Sequence, residues 1–128
     1  MDKLMRILYV EDEPDIQTVA RLALETLGGF TVAICGSGQE ALDRAPDFQP
    51  QLILLDVMMP TMDGPTALGM LRALPQFTDT PTIFMTAKVQ PAEIAHYLQL
   101  GAVDVIPKPF DPMILSSQVQ AIWERCHG

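Results

Sequence analysis

The sequence predicts an α/β fold: a doubly wound, five-stranded parallel sheet covered by five helices. Three observations carry this. Short apolar runs of strand length alternate five times with longer amphipathic segments. Each connection is long enough to hold a helix, which parallel neighbours require. The runs themselves, such as LILL at 52–55, are continuously apolar, as in strands buried on both faces. Right-handed crossovers leave few topologies, and the doubly wound sheet is the natural one at 128 residues. That length suits one domain with a single sizeable core, so residues 1–128 are expected to form one unit. No linker, repeat or low-complexity tract interrupts the pattern.

Each element has a local cause. Ile7-Leu8-Tyr9-Val10 is a compact β-type run ending at Glu11-Asp12. Pro14 then suits a first helical position, with acids around it that favour the positive helix start. Ile16, Val19, Ala20, Ala23, Leu24 and Leu27 follow at helical spacing, and Gly28-Gly29 supplies a stop. Phe30 to Ile34 reads as the second strand. Ser37-Gly38-Gln39-Glu40 has capping-box form and opens a helix through Ala41, Leu42 and Ala45. Residues 51–55 make the third strand, and Gly64-Pro65 starts a helix with Ala67, Leu68, Leu71 and Leu74 on one face. Thr82-Ile83-Phe84-Met85 is the fourth strand, ending at Thr86-Ala87. Pro91 opens the fourth helix, with Ile94, Ala95 and Leu98 inward and Gly101 as its stop. Val103 to Ile106 is the fifth strand, followed by Pro107-Lys108-Pro109. Pro112 opens the last helix, with Leu115, Val119, Ile122 and Cys126 inward and Trp123 partly buried.

Composition excludes several function classes. Eight basic against sixteen acidic residues give a formal net charge of −8. Nucleic-acid modules show a basic patch, and none is visible, so direct DNA or RNA binding is not expected. An acidic surface suits basic partner surfaces or metal ions. Cys35 and Cys126 lack metal-site or redox spacing and form no disulfide framework, which fits a reducing cytoplasmic compartment. The start, MDKLMRILYV, has no signal-peptide pattern, and no stretch approaches a membrane span.

Ligands of open α/β sheets bind outside the carboxyl ends of the strands. The first strand delivers Glu11 and Asp12 to that rim, the third Asp56, the fourth Thr86 and the fifth Lys108. The second delivers only Cys35-Gly36. Two like charges ~4 Å apart repel by roughly 4 kcal/mol at an effective dielectric of about 20. One lysine does not fully relieve three acids, whereas a hard divalent cation such as Mg²⁺ does. A carboxylate is also a nucleophile towards a phosphoryl group. Lys108 can pair with a phosphoryl oxygen and the Thr86 hydroxyl can donate to another. The set is suited to carrying a phosphoryl group on Asp56.

Taken in order, Glu11-Asp12, LLDVMMP around Asp56, MDG at 62–64, Thr86-Ala87 and Lys108-Pro109-Phe110 resemble the receiver domains of two-component response regulators. The resemblance runs from about Leu4 to about Arg125. Each motif alone is weak, and together they are highly specific. The resemblance implies a flavodoxin-like sheet of strand order 2-1-3-4-5, an order supplied by the family and not by these residues. It implies that Asp56 accepts phosphate from a histidine kinase or a histidine phosphotransfer protein. Asp12, Asp56 and the Met58 backbone carbonyl would ligate Mg²⁺, with Glu11 acting through a bound water. Thr86 and Lys108 would engage the phosphoryl group. A cis peptide is expected at Lys108-Pro109, since X-Pro is where cis bonds occur. Output would pass to a protein target, with the chain a monomer or a weak dimer through the face made by helix four, strand five and helix five. A stand-alone chain, lacking a DNA-binding or catalytic output domain, is the expectation. The chain would catalyse only its own phosphorylation and dephosphorylation.

Blander readings exist for each residue. Asp56 can be a polar strand end, but that explains one acid and not five placed groups. Glu11 and Asp12 can cap the first helix. Thr86 alone suits any strand end, and Lys108 alone suits a solvated loop. Met58, Met59, Met62 and Met85 are expected as gap-filling core or cleft-edge residues, and His96 and His127 as surface residues. Many receivers carry an aromatic three residues before the lysine. Here that position is Val105, which has no ring to swing, so the expected route of signalling is the loop after Thr86 and helix four. Two positions flank the cleft: Lys88, and Met58, whose side chain offers no hydrogen bond to orient a water. Alternatives are a phosphorelay intermediate or phosphate sink, an interaction scaffold, and a phosphatase using an aspartyl-phosphate intermediate. The last would want a second acid where Met58 stands.

Overall fold

The computed structural model describes residues 3–127, excluding the side chain of His127, so the surface placement expected for His127 lies outside the described residues. Five strands form one sheet: β1 (Arg6–Val10), β2 (Thr31–Cys35), β3 (Leu52–Asp56), β4 (Thr82–Thr86) and β5 (Asp104–Pro107). Every pairing is parallel and the order is β2-β1-β3-β4-β5. The helices are α1 (Pro14–Arg21), α2 (Gly38–Phe48), α3 (Gly64–Arg72), α4 (Pro91–Gln99) and α5 (Leu115–His127). α1 runs on into a π-helical segment, Leu22–Leu27, and a 3₁₀ turn, Pro75–Phe77, follows α3.

Strand side chains alternate between faces, which gives two apolar layers. Leu8, Val10, Ile53, Leu55 and Phe84 meet Ala41 and Ala45 of α2, Leu68 and Leu71 of α3, and Tyr97 of α4. On the other face Ile7, Tyr9, Leu52, Leu54, Ile83 and Met85 meet Ala20 of α1, Leu24, and Leu115, Val119 and Trp123 of α5. Helices α1 and α5 thus cover one face, and α2, α3 and α4 the other. Each large side chain buried here contributes on the order of 1.5–3 kcal/mol. Ser37 caps α2 by accepting from the Glu40 N–H, and Asp63 caps α3 by accepting from the Thr66 N–H. Glu40 bonds the Gly36 N–H instead of closing the expected box on Ser37. The cis peptide expected at Lys108-Pro109 is present.

Several burial expectations need correction. Val19 and Leu27 are exposed, while Ala20, Ala23 and Leu24 face inward. The π segment pairs each residue with the fifth before it, so the 3.6-residue period does not carry Leu27 to the core face. On α4 the inward residue is Tyr97, whose ring meets Phe84 edge-on with centroids 5.4 Å apart, and both Ala95 and Leu98 are exposed. That aromatic contact sets the rotation of the helix in place of the aliphatic stripe. At the end of the chain Trp123 is buried and Cys126 exposed, the large indole filling the layer that the thiol was expected to share. Met59 and Met85 are core residues, Met58 lies exposed at the cleft edge, and His96 is on the surface.

Candidate functional site

Because all five strands are parallel, their carboxyl ends share one rim of the sheet. Asp56 is the last residue of β3 and Thr86 the last of β4. Glu11 and Asp12 follow β1 directly, and Lys108 follows β5. The Glu11 N–H donates to the Cys35 carbonyl at 2.9 Å, which carries the strand pairing one residue further and aims the side chain at the rim. The Lys108 N–H donates to the Thr86 carbonyl at 2.9 Å, so the lysine loop is pinned to the end of β4.

These side chains converge. One carboxylate oxygen from each of Glu11, Asp12 and Asp56 lies within 4.8 Å of the others. Lys108 Nζ contacts Glu11 Oε1 at 2.8 Å and Asp56 Oδ1 at 3.4 Å. Glu11, Asp56 and Thr86 are buried, and Asp12 is half-buried. The Thr86 hydroxyl stands one strand over from Asp56 and accepts from the Lys88 N–H at 3.0 Å. Met58 donates its backbone N–H towards Asp56 Oδ1 at 3.4 Å, and its side chain is exposed. Neither Glu11 nor Asp12 is the α1 N-cap residue, which is Glu13, although Glu11 Oε2 accepts from the Glu13 N–H at 3.3 Å.

The charge balance follows from this packing. Burial raises the Glu11 carboxyl to about 7, and the Asp56 charge adds to that against the opposing pull of Lys108. Burial by itself would lower the Lys108 ammonium, but Glu11 and Asp56 outweigh it and the net shift is upward. Three acids facing one ammonium leave an excess of negative charge at the rim. Carboxylate oxygens at this mutual spacing form a donor set that fits a hard divalent cation, with Glu11, Asp12 and Asp56 as the residues able to hold it.

Two residues that shape the site were not singled out for this in the sequence. Gly64 packs its backbone on Asp56, where an added Cβ would lie 2.5 Å from the Asp56 carbonyl oxygen. Tyr9 is buried on the face shared by Glu11 and Asp56. The Asp63-Gly64 pair reads as a turn, which hides the close approach; the phenol of Tyr9 in an otherwise aliphatic strand was the available signal.

The chain matches the family model of the response regulator receiver domain over residues 7–120. It is 38% identical over 122 residues to the transcriptional regulatory protein CpxR of Escherichia coli K12, covering 95% of this chain and 50% of that protein. It is 38% identical over 120 residues to the alkaline phosphatase synthesis transcriptional regulatory protein PhoP of Bacillus subtilis, covering 94% of this chain and 49% of that protein. The chain thus spans about half the length of the curated relatives it matches. Among solved structures, the chemotaxis response regulator CheY4 of Vibrio cholerae superposes with a TM-score of 0.86 at 28% identity, covering 94% of this chain and 99% of that one. The chain belongs to the response regulator receiver domain family of two-component systems.

Proposed function

We propose that this chain is a phosphoacceptor receiver that takes a phosphoryl group on Asp56 from a histidine kinase or a histidine phosphotransfer protein and signals through phosphorylation-dependent protein contacts. The observation that carries this reading is the convergence of Asp56 with Glu11, Asp12 and Lys108 at one rim of the sheet. An Asp56 carboxylate oxygen attacks the phosphorus of the donor. The new P–O bond forms as the donor's P–N bond breaks, and the leaving imidazole keeps the electron pair and takes up a proton. Lys108 pairs with one oxygen of the transferred group and the Thr86 hydroxyl donates to another, exchanging its present contact with the Lys88 N–H. Hydrolysis reverses the loading: water attacks phosphorus, phosphate leaves, and the Asp56 carboxylate is regenerated.

Asp12 and Asp56, with the Met58 carbonyl and with Glu11 through a water, would hold Mg²⁺. When bound, that ion offsets negative charge on the attacking and transferring oxygens. The chain's own chemistry is limited to its phosphorylation and dephosphorylation. The exposed Met58 side chain brings no acid for ester hydrolysis, in keeping with a signalling role. We read residues 1–128 as one receiver unit acting in the cytoplasm, without direct contact to nucleic acid. Among the described residues no helix is long and apolar enough to cross a membrane. A phosphorelay step or a phosphate sink uses the same chemistry with a different recipient. The chain is read as a monomer or a weak dimer through the α4, β5 and α5 face.

The test is intact-protein mass after incubation with acetyl phosphate and Mg²⁺, run beside Asp56→Asn. One phosphoryl adduct is expected on the parent, and none on the variant or without the cation. An adduct that survives Asp56→Asn refutes the assignment. Absence of any adduct from a cognate phosphohistidine donor, with Mg²⁺ bound, leaves the scaffold reading.

A further inference from the structure

The apolar layer under the site contains a polar atom without a partner among the described residues. Tyr9 is 1% exposed, and its hydroxyl has no hydrogen-bond partner among the described residues. It stands two residues before Glu11, and the strand pairing continues to Glu11, so the two side chains leave the same face of β1. Leu54, the register partner of Tyr9, shares its face with Asp56. The phenol therefore lies on the face from which Glu11 and Asp56 rise. Burial, with the negative charges of Glu11 and then Asp56, holds it protonated far above its ordinary range. A neutral phenol is a hydrogen-bond donor.

Glu11 has the opposite problem. It is fully buried, and among the described residues its one cationic contact is Lys108, which sits closer to Glu11 at 2.8 Å than to Asp56 at 3.4 Å. In the function proposed above, Lys108 turns to an oxygen of the phosphoryl group. Glu11 then loses its shortest contact and keeps the long one from the Glu13 N–H to Oε2 at 3.3 Å, with the water it would share with Mg²⁺. A buried acceptor left short of donors is costlier than an ordinary hydrogen bond is favourable.

We propose that Tyr9 is a positioning residue for phosphoryl transfer: its hydroxyl takes over as donor to the Glu11 carboxylate when Lys108 leaves Glu11, so the lysine is released without stranding a buried charge. This rests on the reading of Asp56 as acceptor. The exchange itself is nevertheless testable without phosphate, because removing the lysine side chain creates the same demand on Glu11.

Four chains decide it: the parent, Tyr9→Phe, Lys108→Ala and the double variant, unfolded in urea at pH 8. Tyr9→Phe in the parent removes an unpartnered group and is expected to leave the midpoint unchanged or slightly higher. In the Lys108→Ala background the same change is expected to lower it. The ring ¹³Cζ resonance of Tyr9 should shift between the parent and Lys108→Ala, a signature that a purely packing role would not produce. Tyr9→Phe should also slow Asp56 phosphorylation by acetyl phosphate roughly tenfold, the rate equivalent of about one hydrogen bond. Lys108→Met, which keeps the bulk and supplies no donor, replaces the alanine variant if the latter is too unstable to measure. Equal effects of Tyr9→Phe in both backgrounds, with an unmoved Tyr9 resonance, overturn the proposal even if phosphorylation slows. A parent chain that takes no phosphoryl group refutes the acceptor reading, while the urea cycle still decides the exchange.

Discussion

Gly64→Ala gives opposite signs in two physical pictures. Gly64 is the first residue of α3, and its conformation needs no left-handed backbone. Taken as an isolated helix, alanine there would be favoured over glycine by up to about 1 kcal/mol. In the folded chain the new Cβ would sit 2.5 Å from the Asp56 carbonyl oxygen and 2.9 Å from Val57 Cα. Both are backbone atoms, so no rotamer change relieves the overlap. The oxygen must retreat from 2.5 Å to at least the 3.0–3.4 Å of a tight contact. That movement also strains the bond from the Gly64 N–H to the Val57 carbonyl at 2.9 Å. Overpacking of this kind costs ~1–3 kcal/mol, more where backbone must shift. Against the helix gain the net loss is about 1–2 kcal/mol, a melting-point drop of roughly 4–7 °C for a chain of this size. The displaced carbonyl belongs to Asp56 itself, so phosphorylation by acetyl phosphate should fall more than stability alone explains. Thermal unfolding and intact-mass labelling at 15 °C, where the variant stays folded, measure the two effects. A Gly64→Ala chain with an unchanged or raised melting point refutes this packing argument.

Acid stability and the loop staple give two further expectations. The Glu11 carboxyl is raised to about 7 in the folded chain against an ordinary 4.5, so between those values the folded state holds a proton the unfolded state has released. Stability without divalent cations should therefore be highest below about pH 4.5 for this group and fall as pH rises to about 7, by at most ~3 kcal/mol. Urea midpoints in chelator for the parent minus Glu11→Gln should show that slope, and a difference flat with pH counts against it. Arg72 donates to the carbonyls of Phe77 and Gly101, each at 3.1 Å, and to that of Thr80. Arg72→Met should destabilise by about 2–3 kcal/mol, and Arg72→Lys should recover little because an ammonium lacks the planar fork. Full recovery by lysine in urea unfolding would rule out the staple.

The alternation of strand and helix, the carboxylates at the strand ends and the lysine between prolines were all legible in the sequence. Each depends on local spacing: an apolar run of four or five residues, a proline at a helix start, a polar residue where the run stops. The assembly of Glu11, Asp12, Asp56, Thr86 and Lys108 at one rim follows from parallel strands, so it too could be read before any coordinates. Tertiary structure decided the features that depend on contacts between distant segments. Tyr97 and not Leu98 faces inward because the Phe84 ring lies opposite it. Leu27 faces solvent because the helix widens after Arg21. The need for glycine at position 64 comes from the Asp56 backbone beside it, and the Tyr9 phenol lacks a partner among the described residues because of the apolar layer around it. Periodicity along the chain reports which side of an element is apolar; only packing fixes which atoms meet there and which polar groups are left waiting for a partner.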